Sequence, residues 1–283
     1  MRHLIILIAI FVSANLNAQE YIQLWGNHPD DFRKKAVRLY HIPAGEKQSN
    51  KAIIFCPGGS YCYLAKENEG FSPARMFNKF GYDCYVLIYR RGMRGNRYPS
   101  QIQDLQMAIN YIKTIYQAYD TLGVCGFSAG GHLSGTSAIY FDKDFNNLFN
   151  GNMPKNYFRP DFAIMIYPVI TMQDGYVHKK SRRNLLGQYY TEAAKDSMSL
   201  ERHVHNQMPP IFVINCTDDP IVDYHNALIF SDSLNSTSVK HYYKLYNQGG
   251  HGFGIKTERI KSEDKSAALW YEDFFKFINE CSH

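Results

Sequence analysis

A serine, an aspartate and a histidine, in that order along the chain and each in a sharp turn, are the residues of this sequence best suited to chemistry. The serine is Ser128, within Gly126-Phe127-Ser128-Ala129-Gly130. This is G-x-S-x-G, and the glycines have a physical purpose. A nucleophile at the tip of a strand-to-helix elbow sits on a strained backbone, and side chains two residues to either side would collide across the turn. The segment before it, Leu122-Gly123-Val124-Cys125, reads as a short apolar strand. The segment after it, Ala129-Gly130-Gly131-His132-Leu133, reads as a helix opening on small residues. Free N–H groups and the positive end of the helix dipole would then face a developing oxyanion. An ordinary Gly/Ser turn is the bland alternative, and the flanking strand and helix weigh against it. A dinucleotide loop is excluded, because Gly126, Gly130 and Gly131 do not fit G-x-G-x-x-G.

Such a serine needs a base, and the base needs an orienting acid. In a parallel sheet both come from loops at the carboxyl ends of later strands. His251 lies in Asn247-Gln248-Gly249-Gly250-His251-Gly252-Phe253-Gly254, a loop pliable enough for the ring to reach back. His225 falls on a helical segment and His241 inside a strand, so neither competes. Two adjacent acids, Asp218 and Asp219, follow the strand Ile211–Asn215. Asp219 is favoured, because Asp219-Pro220-Ile221-Val222 has the D-x-x-V register of the orienting acid in this chemistry. Asp218 is left to cap the loop or face water. The order Ser128, Asp219, His251 is that of nucleophile, acid and base on a strand–helix scaffold.

An oxyanion also needs backbone donors. Pro57-Gly58-Gly59-Ser60-Tyr61 follows the first core strand, and the N–H groups of Gly59 and Ser60, with that of Ala129, are the expected donors. Tyr61 and Tyr63 are expected near this loop as substrate contacts, with packing as the equal alternative. His132 reads as a packed helix residue rather than a second base. His203 and His205 form H-x-H without a third ligand, so neither a metal nor a cofactor is expected. Arg90, Arg91, Arg94 and Arg97 read as a solvated loop, the alternative being a site for a carboxylate-bearing substrate.

The elements that must hold these residues alternate in type. Arg33 to Ile42 is expected as an early edge strand and Lys51–Cys56 as a buried strand. Phe71–Phe80 follows as a helix and Cys84–Tyr89 as a strand. Pro99 opens a helix running to about Ile115, with Ile102, Leu105, Ala108, Ile109 and Ile112 on one face. The elbow strand and its helix follow, then the strand Phe162–Tyr167. Residues 171–208 lack clear periodicity and read as short helices in a cap or insert. The strand Ile211–Asn215, the helix Tyr224–Leu234, the strand Lys240–Tyr246 and an amphipathic helix Lys265–Ile278 complete the chain. This pattern predicts one α/β domain over residues 19–283, with a mostly parallel sheet of about eight strands and helices on both faces.

At 283 residues and 45% hydrophobic content, the chain can bury a large core. The formal net charge of +5 is scattered, without the basic stripe of a nucleic-acid binder. Met1-Arg2-His3, the apolar run Leu4 to Val12 and the small residues ending at Ala18 have the layout of a secretory signal peptide cleaved after Ala18. Export to the periplasm or beyond is therefore expected. An apolar run of nine residues is too short to span a bilayer, so no lasting membrane insertion is expected. Of the six cysteines, Cys56, Cys84, Cys125 and Cys216 fall in or at the end of core strands and read as small buried hydrophobes rather than disulfide partners. No feature of the sequence sets an oligomeric state.

These motifs recur together in a known group. Pro57-Gly58-Gly59-Ser60-Tyr61, Glu69-Gly70, Tyr89-Arg90, Gly126 to Leu133, Tyr167-Pro168-Val169, Ser181 to Gly187, Asp218-Asp219-Pro220 and Gly249 to Gly254 resemble, in this order, one set of secreted bacterial α/β-hydrolases. These are grouped with acetyl-xylan and feruloyl esterases and are related to the hormone-sensitive-lipase-like carboxylesterases. The resemblance covers nearly all of the chain after Ala18. It implies removal of acetyl or feruloyl groups from plant polysaccharide or its oligosaccharides by a Ser-His-Asp triad, without a cofactor. Ser60 departs from the pattern, since relatives often carry a third glycine there. Some members carry xylanase names, but no pair of carboxylates here forms a recognisable glycosidase motif. A serine exopeptidase of the prolyl-peptidase type is the alternative enzyme, and a non-catalytic binding protein the third class.

Overall fold

The computed structural model of the chain describes residues 21–26, 34–45, 49–92, 95–115 and 119–281. The expected signal peptide, Arg33 and Arg94 lie outside the described residues. Seven strands form one sheet: β1 (Arg38–Ile42), β2 (Lys51–Cys56), β3 (Tyr82–Ile88), β4 (Thr121–Phe127), β5 (Ala163–Ile166), β6 (Ile211–Cys216) and β7 (His241–Tyr246). Their spatial order is β1-β3-β2-β4-β5-β6-β7. Only β1 runs antiparallel, pairing Arg38 with Ile88 and Ile42 with Cys84. Seven strands thus stand, among the described residues, where about eight were expected.

The inner strands β2, β4, β5 and β6 are buried along nearly their whole length because both faces of the sheet are covered, whereas the edge strands β1 and β7 are mostly half-buried. The strand period of two divides the core. Ala52, Ile54 and Cys56 of β2 face one cluster, and Ile53 and Phe55 face the other. The first cluster takes in α2 (Ser100–Ile115), α3 (Ala129–Ile139) and α6 (His225–Leu234). The second takes in α1 (Ser72–Asn78) and the C-terminal α7 (Trp270–Cys281), whose Trp270, Phe274 and Phe277 sink into the sheet.

Two boundaries differ from the sequence expectation. The edge strand begins at Arg38 because Lys34–Ala36 forms a 3-10 turn. The helix expected from Phe71 starts earlier, as a π-helical turn over Glu67–Phe71 running into α1, and that turn buries Glu69. Residues 171–208 hold α4 (Lys179–Leu186), α5 (Glu192–Ser197) and a 3-10 turn at Leu200–Arg202. The six cysteines are free, and Cys56, Cys84, Cys125 and Cys216 are buried. Among the described residues no helix is long and apolar enough to cross a membrane.

In an open parallel sheet, the crevice forms beyond the carboxyl ends of the strands, where the strand order reverses. Here that reversal falls between β2 and β4. The loops after β2, β4, β6 and β7 are the ones that carry Gly59, Ser128, Asp219 and His251.

Candidate active site

Ser128 sits between the last residue of β4 and the first of α3, with φ 54° and ψ −118°. That conformation is costly for a side-chain-bearing residue, and the fold over-determines it. The Ser128 N–H donates to Ile166 O at 2.9 Å, and the Ser128 carbonyl accepts from Val169 N at 3.1 Å. The surrounding glycines are obligatory. A Cβ on Gly126 would lie 1.9 Å from Gly130 O, and one on Gly130 would lie 1.9 Å from Cys56 O. The elbow can therefore pack against the β2 loop only as glycine.

The expected serine, base and acid come together. His251 Nε2 lies 2.9 Å from Ser128 Oγ, and His251 Nδ1 lies 2.6 Å from Asp219 Oδ2. The Asp219 side chain is 1% exposed. Its other oxygen accepts from the N–H groups of Ile221 at 2.8 Å and Val222 at 3.0 Å. Both oxygens are thus committed, and the carboxylate cannot rotate away from the imidazole. Asp218 takes a different part. Its Oδ1 accepts from Gly250 N at 2.8 Å and its Oδ2 from Gly249 N at 3.3 Å, pinning the loop that bears His251. One acid holds the ring and its neighbour holds the loop.

The N–H groups of Gly59, Ser60 and Ala129 donate to no other atom among the described residues. Gly59 and Ser60 line, with Ser128 and His251, a cavity of about 430 Å³. Gly59 has φ +129°, and a Cβ there would lie 2.3 Å from Tyr63 O. Ser60 adopts φ 57°, so a serine occupies the left-handed conformation that a glycine would take without cost. The opening residue of α3, Ala129, directs its helix dipole at the same point. The arrangement leaves unpaired donors around the serine where negative charge would develop in acyl transfer.

Two expectations need correction. Tyr61 is not a substrate contact: it is 1% exposed, and its hydroxyl lies 2.9 Å from His132 Nδ1. The backbone turn that opens the oxyanion loop drives this ring into the core. His132 Nε2 donates to Met198 O at 2.8 Å, which leaves Nδ1 to accept from Tyr61. Burial pushes His132 down to about 4, so it stays neutral and structural, as its helix position suggested. Arg90 is the second correction, because it does not lie in a solvated loop. It is buried, 2.8 Å from Asp104, and also donates to Ser100 O. Arg91 is half-buried and Arg97 exposed. Tyr63 remains exposed and lines the cavity. His203 and His205 bond the carbonyls of Asp196 and Ile139.

Glu69 has a place at the site that its sequence position alone did not reveal. It is 3% exposed and lines the cavity floor. Its Oε2 accepts from Gly58 N at 2.8 Å, and its Oε1 accepts from the Tyr167 hydroxyl at 2.9 Å. Tyr167 Oη in turn accepts from Gly254 N at 3.0 Å, and its ring packs 4.6 Å from the His251 ring. Burial pushes the Glu69 carboxyl up, opposed by His251 and by these hydrogen bonds. One buried acid thus ties the oxyanion loop to the histidine loop. The signal available was Glu69-Gly70 among the recurring motifs; nothing in its spacing announced a role.

An open parallel sheet, a serine on a glycine-flanked elbow and a hydrogen-bonded histidine and aspartate define an α/β-hydrolase. The BD-FAE family model matches residues 39–234, and the chain belongs to that family of α/β-hydrolase esterases. A model of the dienelactone hydrolase family matches residues 188–282. The chain is 30% identical over 216 residues, 74% of its length, to endo-1,4-beta-xylanase B of Butyrivibrio fibrisolvens, covering 33% of that protein. It is 28% identical over 259 residues, 88% of its length, to an acetylxylan esterase of Xylanibacter ruminicola, covering 49% of it. The chain thus spans a third to about half the length of these curated relatives. Among solved structures, an acetyl ester-xyloside bifunctional hydrolase from Caldicellulosiruptor lactoaceticus matches with a TM-score of 0.78 at 25% identity, over 94% of this chain and 99% of that one. A carboxylesterase from Lactobacillus plantarum shares the fold, with a TM-score of 0.68 at 22% identity over 87% of this chain and 92% of that one.

Proposed function

We propose that this chain is a serine carboxylesterase that removes acetyl or feruloyl groups from plant polysaccharide or its oligosaccharides. The observation that carries the reading is the relay of 2.6 Å from Asp219 to His251 and 2.9 Å from His251 to Ser128, opening into a cavity. With Asp219 on Nδ1–H, Nε2 is the unprotonated nitrogen and can take the serine proton. Ser128 Oγ then attacks the ester carbonyl, and the N–H groups of Gly59, Ser60 and Ala129 receive the oxyanion. His251 passes the proton to the leaving sugar hydroxyl, and the acyl-enzyme remains. Water, deprotonated by the same nitrogen, releases the acid. The names of the relatives, an acetylxylan esterase and an acetyl ester-xyloside hydrolase, support a sugar ester as the substrate.

The test is release of acetate and ferulate from acylated xylo-oligosaccharides, with a chromogenic acetate ester as reference. Ser128→Ala should abolish turnover of each. Cleavage of proline amides without ester turnover would overturn the reading in favour of an exopeptidase. We also propose export with removal of residues 1–18, read out by the mass of the protein recovered outside the cytoplasm. A mature form that keeps Met1 would refute that proposal.

A further inference from the structure

The catalytic cavity does not end at Ser128. Lys180 lines both that cavity and an adjoining groove of about 410 Å³, which is also lined by Cys62, Gly92, Arg97, Arg183, Asn184 and Gln188. We propose that this groove is a subsite for a carboxylate on the substrate, so that the preferred ester is an acylated oligosaccharide carrying a uronate. The inference rests on the carboxylesterase reading and names the substrate class of the same site.

The argument begins with charge. Arg97, Lys180 and Arg183 converge on the groove, and Arg259 lines the catalytic cavity. All four are exposed, and among the described residues none is in salt-bridge reach of a carboxylate. Nearby cations with structural work are paired instead: Arg182 and Lys195 with Asp174, and Arg90 with Asp104. Among the described residues no acid lines the groove. In the catalytic cavity the carboxylate is Glu69, which is buried with both oxygens engaged. Scattered surface lysines and arginines usually mean only solvation. Three that share a concave wall without a counter-charge focus a positive potential into it.

The groove is also built. It is seated on the oxyanion loop, because Asn184 Nδ2 donates to Ser60 O at 2.7 Å. A Cβ on Gly92 would lie 1.8 Å from Asn184 O, so α4 and the segment bearing Gly92 are in backbone contact. Gly187 ends α4 at φ +99°, and the Arg97 guanidinium lies over it, 2.1 Å from where a Cβ would stand. Glycine suits the left-handed φ at that position and leaves room for the Arg97 guanidinium beside the groove. Two guanidinium groups, Arg97 and Arg183, offer the planar paired donors that suit a carboxylate. A neighbouring pocket, which shares His178 and Ile221 with the catalytic cavity, has Asp219 and Asp223 in its lining. An anionic oligosaccharide would enter with its carboxylate toward α4, which carries Lys180 and Arg183.

The test compares acetylated xylo-oligosaccharides with and without a uronate branch. The uronate-bearing ester should show kcat/KM about three- to tenfold higher, the scale of two or three exposed ion pairs. The advantage should shrink as salt rises and the Debye length falls from about 10 Å at 0.1 M to about 3 Å at 1 M. In the double variant Lys180→Gln/Arg183→Gln the ratio should fall close to one. A wild-type ratio of one, or a ratio unmoved by the double variant, overturns the proposal. Free glucuronate should compete and free glucose should not; equal competition by the two would mean that the carboxylate is not recognised and would also overturn it. Calorimetry on Ser128→Ala separates the two readings, since it needs no turnover. Tighter binding of the uronate oligosaccharide without hydrolysis by the wild type keeps the subsite and removes the esterase. Hydrolysis with equal binding of both oligosaccharides does the reverse.

Discussion

Replacing Asp219 by asparagine tests the geometry of the relay more sharply than removing the serine. The Asp219 Oδ1 atom accepts from Ile221 N and Val222 N, and Oδ2 faces His251 Nδ1. An asparagine has one oxygen to place. Turned toward Ile221 and Val222, it directs its NH2 at Nδ1, which must then act as an acceptor. The ring proton moves to Nε2, and Nε2–H points at Ser128 Oγ across 2.9 Å as a donor, unable to take its proton. Turned the other way, the amide sets its NH2 against the exposed Ile221 N–H and the part-buried Val222 N–H and loses both hydrogen bonds, each worth about 0.5–1.5 kcal/mol. The first orientation wins, and it carries the wrong tautomer. The same substitution in the serine-protease triad lowers turnover about 10⁴-fold, and a fall on the order of 10² to 10⁴ is expected here. Asp218→Asn keeps an oxygen for Gly250 N and weakens one contact at 3.3 Å, so its loss should stay under about tenfold. The assay is kcat/KM on a chromogenic acetate ester, with melting temperatures compared first. If Asp219→Asn keeps more than about a tenth of wild-type activity, or if Asp218→Asn is the more damaging at equal stability, the tautomer argument is wrong.

Three further outcomes follow from the structure. Glu69→Ala leaves Gly58 N–H and the Tyr167 hydroxyl without an acceptor, so kcat/KM should fall about tenfold or more with a lower melting temperature, and Glu69→Gln should recover part of both; equal activity in Glu69→Ala and wild type would show that the tie between the two loops is dispensable. His132 titrates near about 4 when folded, because burial disfavours the charged ring, against 6.5 for a free histidine. Its pKa is thus depressed, so between these values the unfolded chain binds the proton and the folded chain does not; stability is present above 6.5 and is lost as pH falls toward 4. Urea unfolding should show the gap between wild type and His132→Gln narrowing by about 2 kcal/mol from about pH 7 to about pH 5, and a gap independent of pH would count against a neutral buried ring. Ser60→Gly removes a side chain from a left-handed residue at φ 57° and should raise stability by roughly 0.5 kcal/mol, the relief of the Cβ clash exceeding the entropy of a new glycine; a lower melting temperature would refute this.

Much of the scaffold was legible because it obeys simple periods. The core strands are unbroken apolar runs, α2 and α7 repeat their apolar residues at helical spacing, and glycines mark the turns between them. Ser128, Asp219 and His251 could be placed because each falls in a loop at the carboxyl end of a strand, and the fold brings those ends together. What stayed hidden depends on contacts between segments far apart in the chain. Tyr61 and Tyr63 are two residues apart and equally aromatic, yet one packs on His132 and the other faces the cavity. Two successive left-handed residues decide that difference, and no composition rule marks them. Arg90 read like the other arginines of its loop, but Asp104, on the next helix, holds it buried. Glu69 became a site residue through partners 11 and 98 positions away.

The distribution of backbone strain points to the same place from an independent direction. Among the described residues, the non-glycine positions with positive φ are four asparagines and Ser60, Tyr61, Ser128 and Tyr167. Asparagine tolerates that conformation in turns. The other four do not, and each costs of order 1–3 kcal/mol. All four belong to the catalytic cavity or the groups that back it. Each is held by a bond from a separate part of the chain: Asn184 Nδ2 on Ser60 O, Gly92 N on Tyr61 O, Val169 N on Ser128 O, and Tyr167 N on Ile214 O. Strain spread at random would be removed by substitution to glycine or asparagine at little cost. Strain confined to one cavity, and restrained there by α4, the sheet and the elbow together, is what a site must carry if its N–H donors are to stand unpaired at the serine before any substrate arrives.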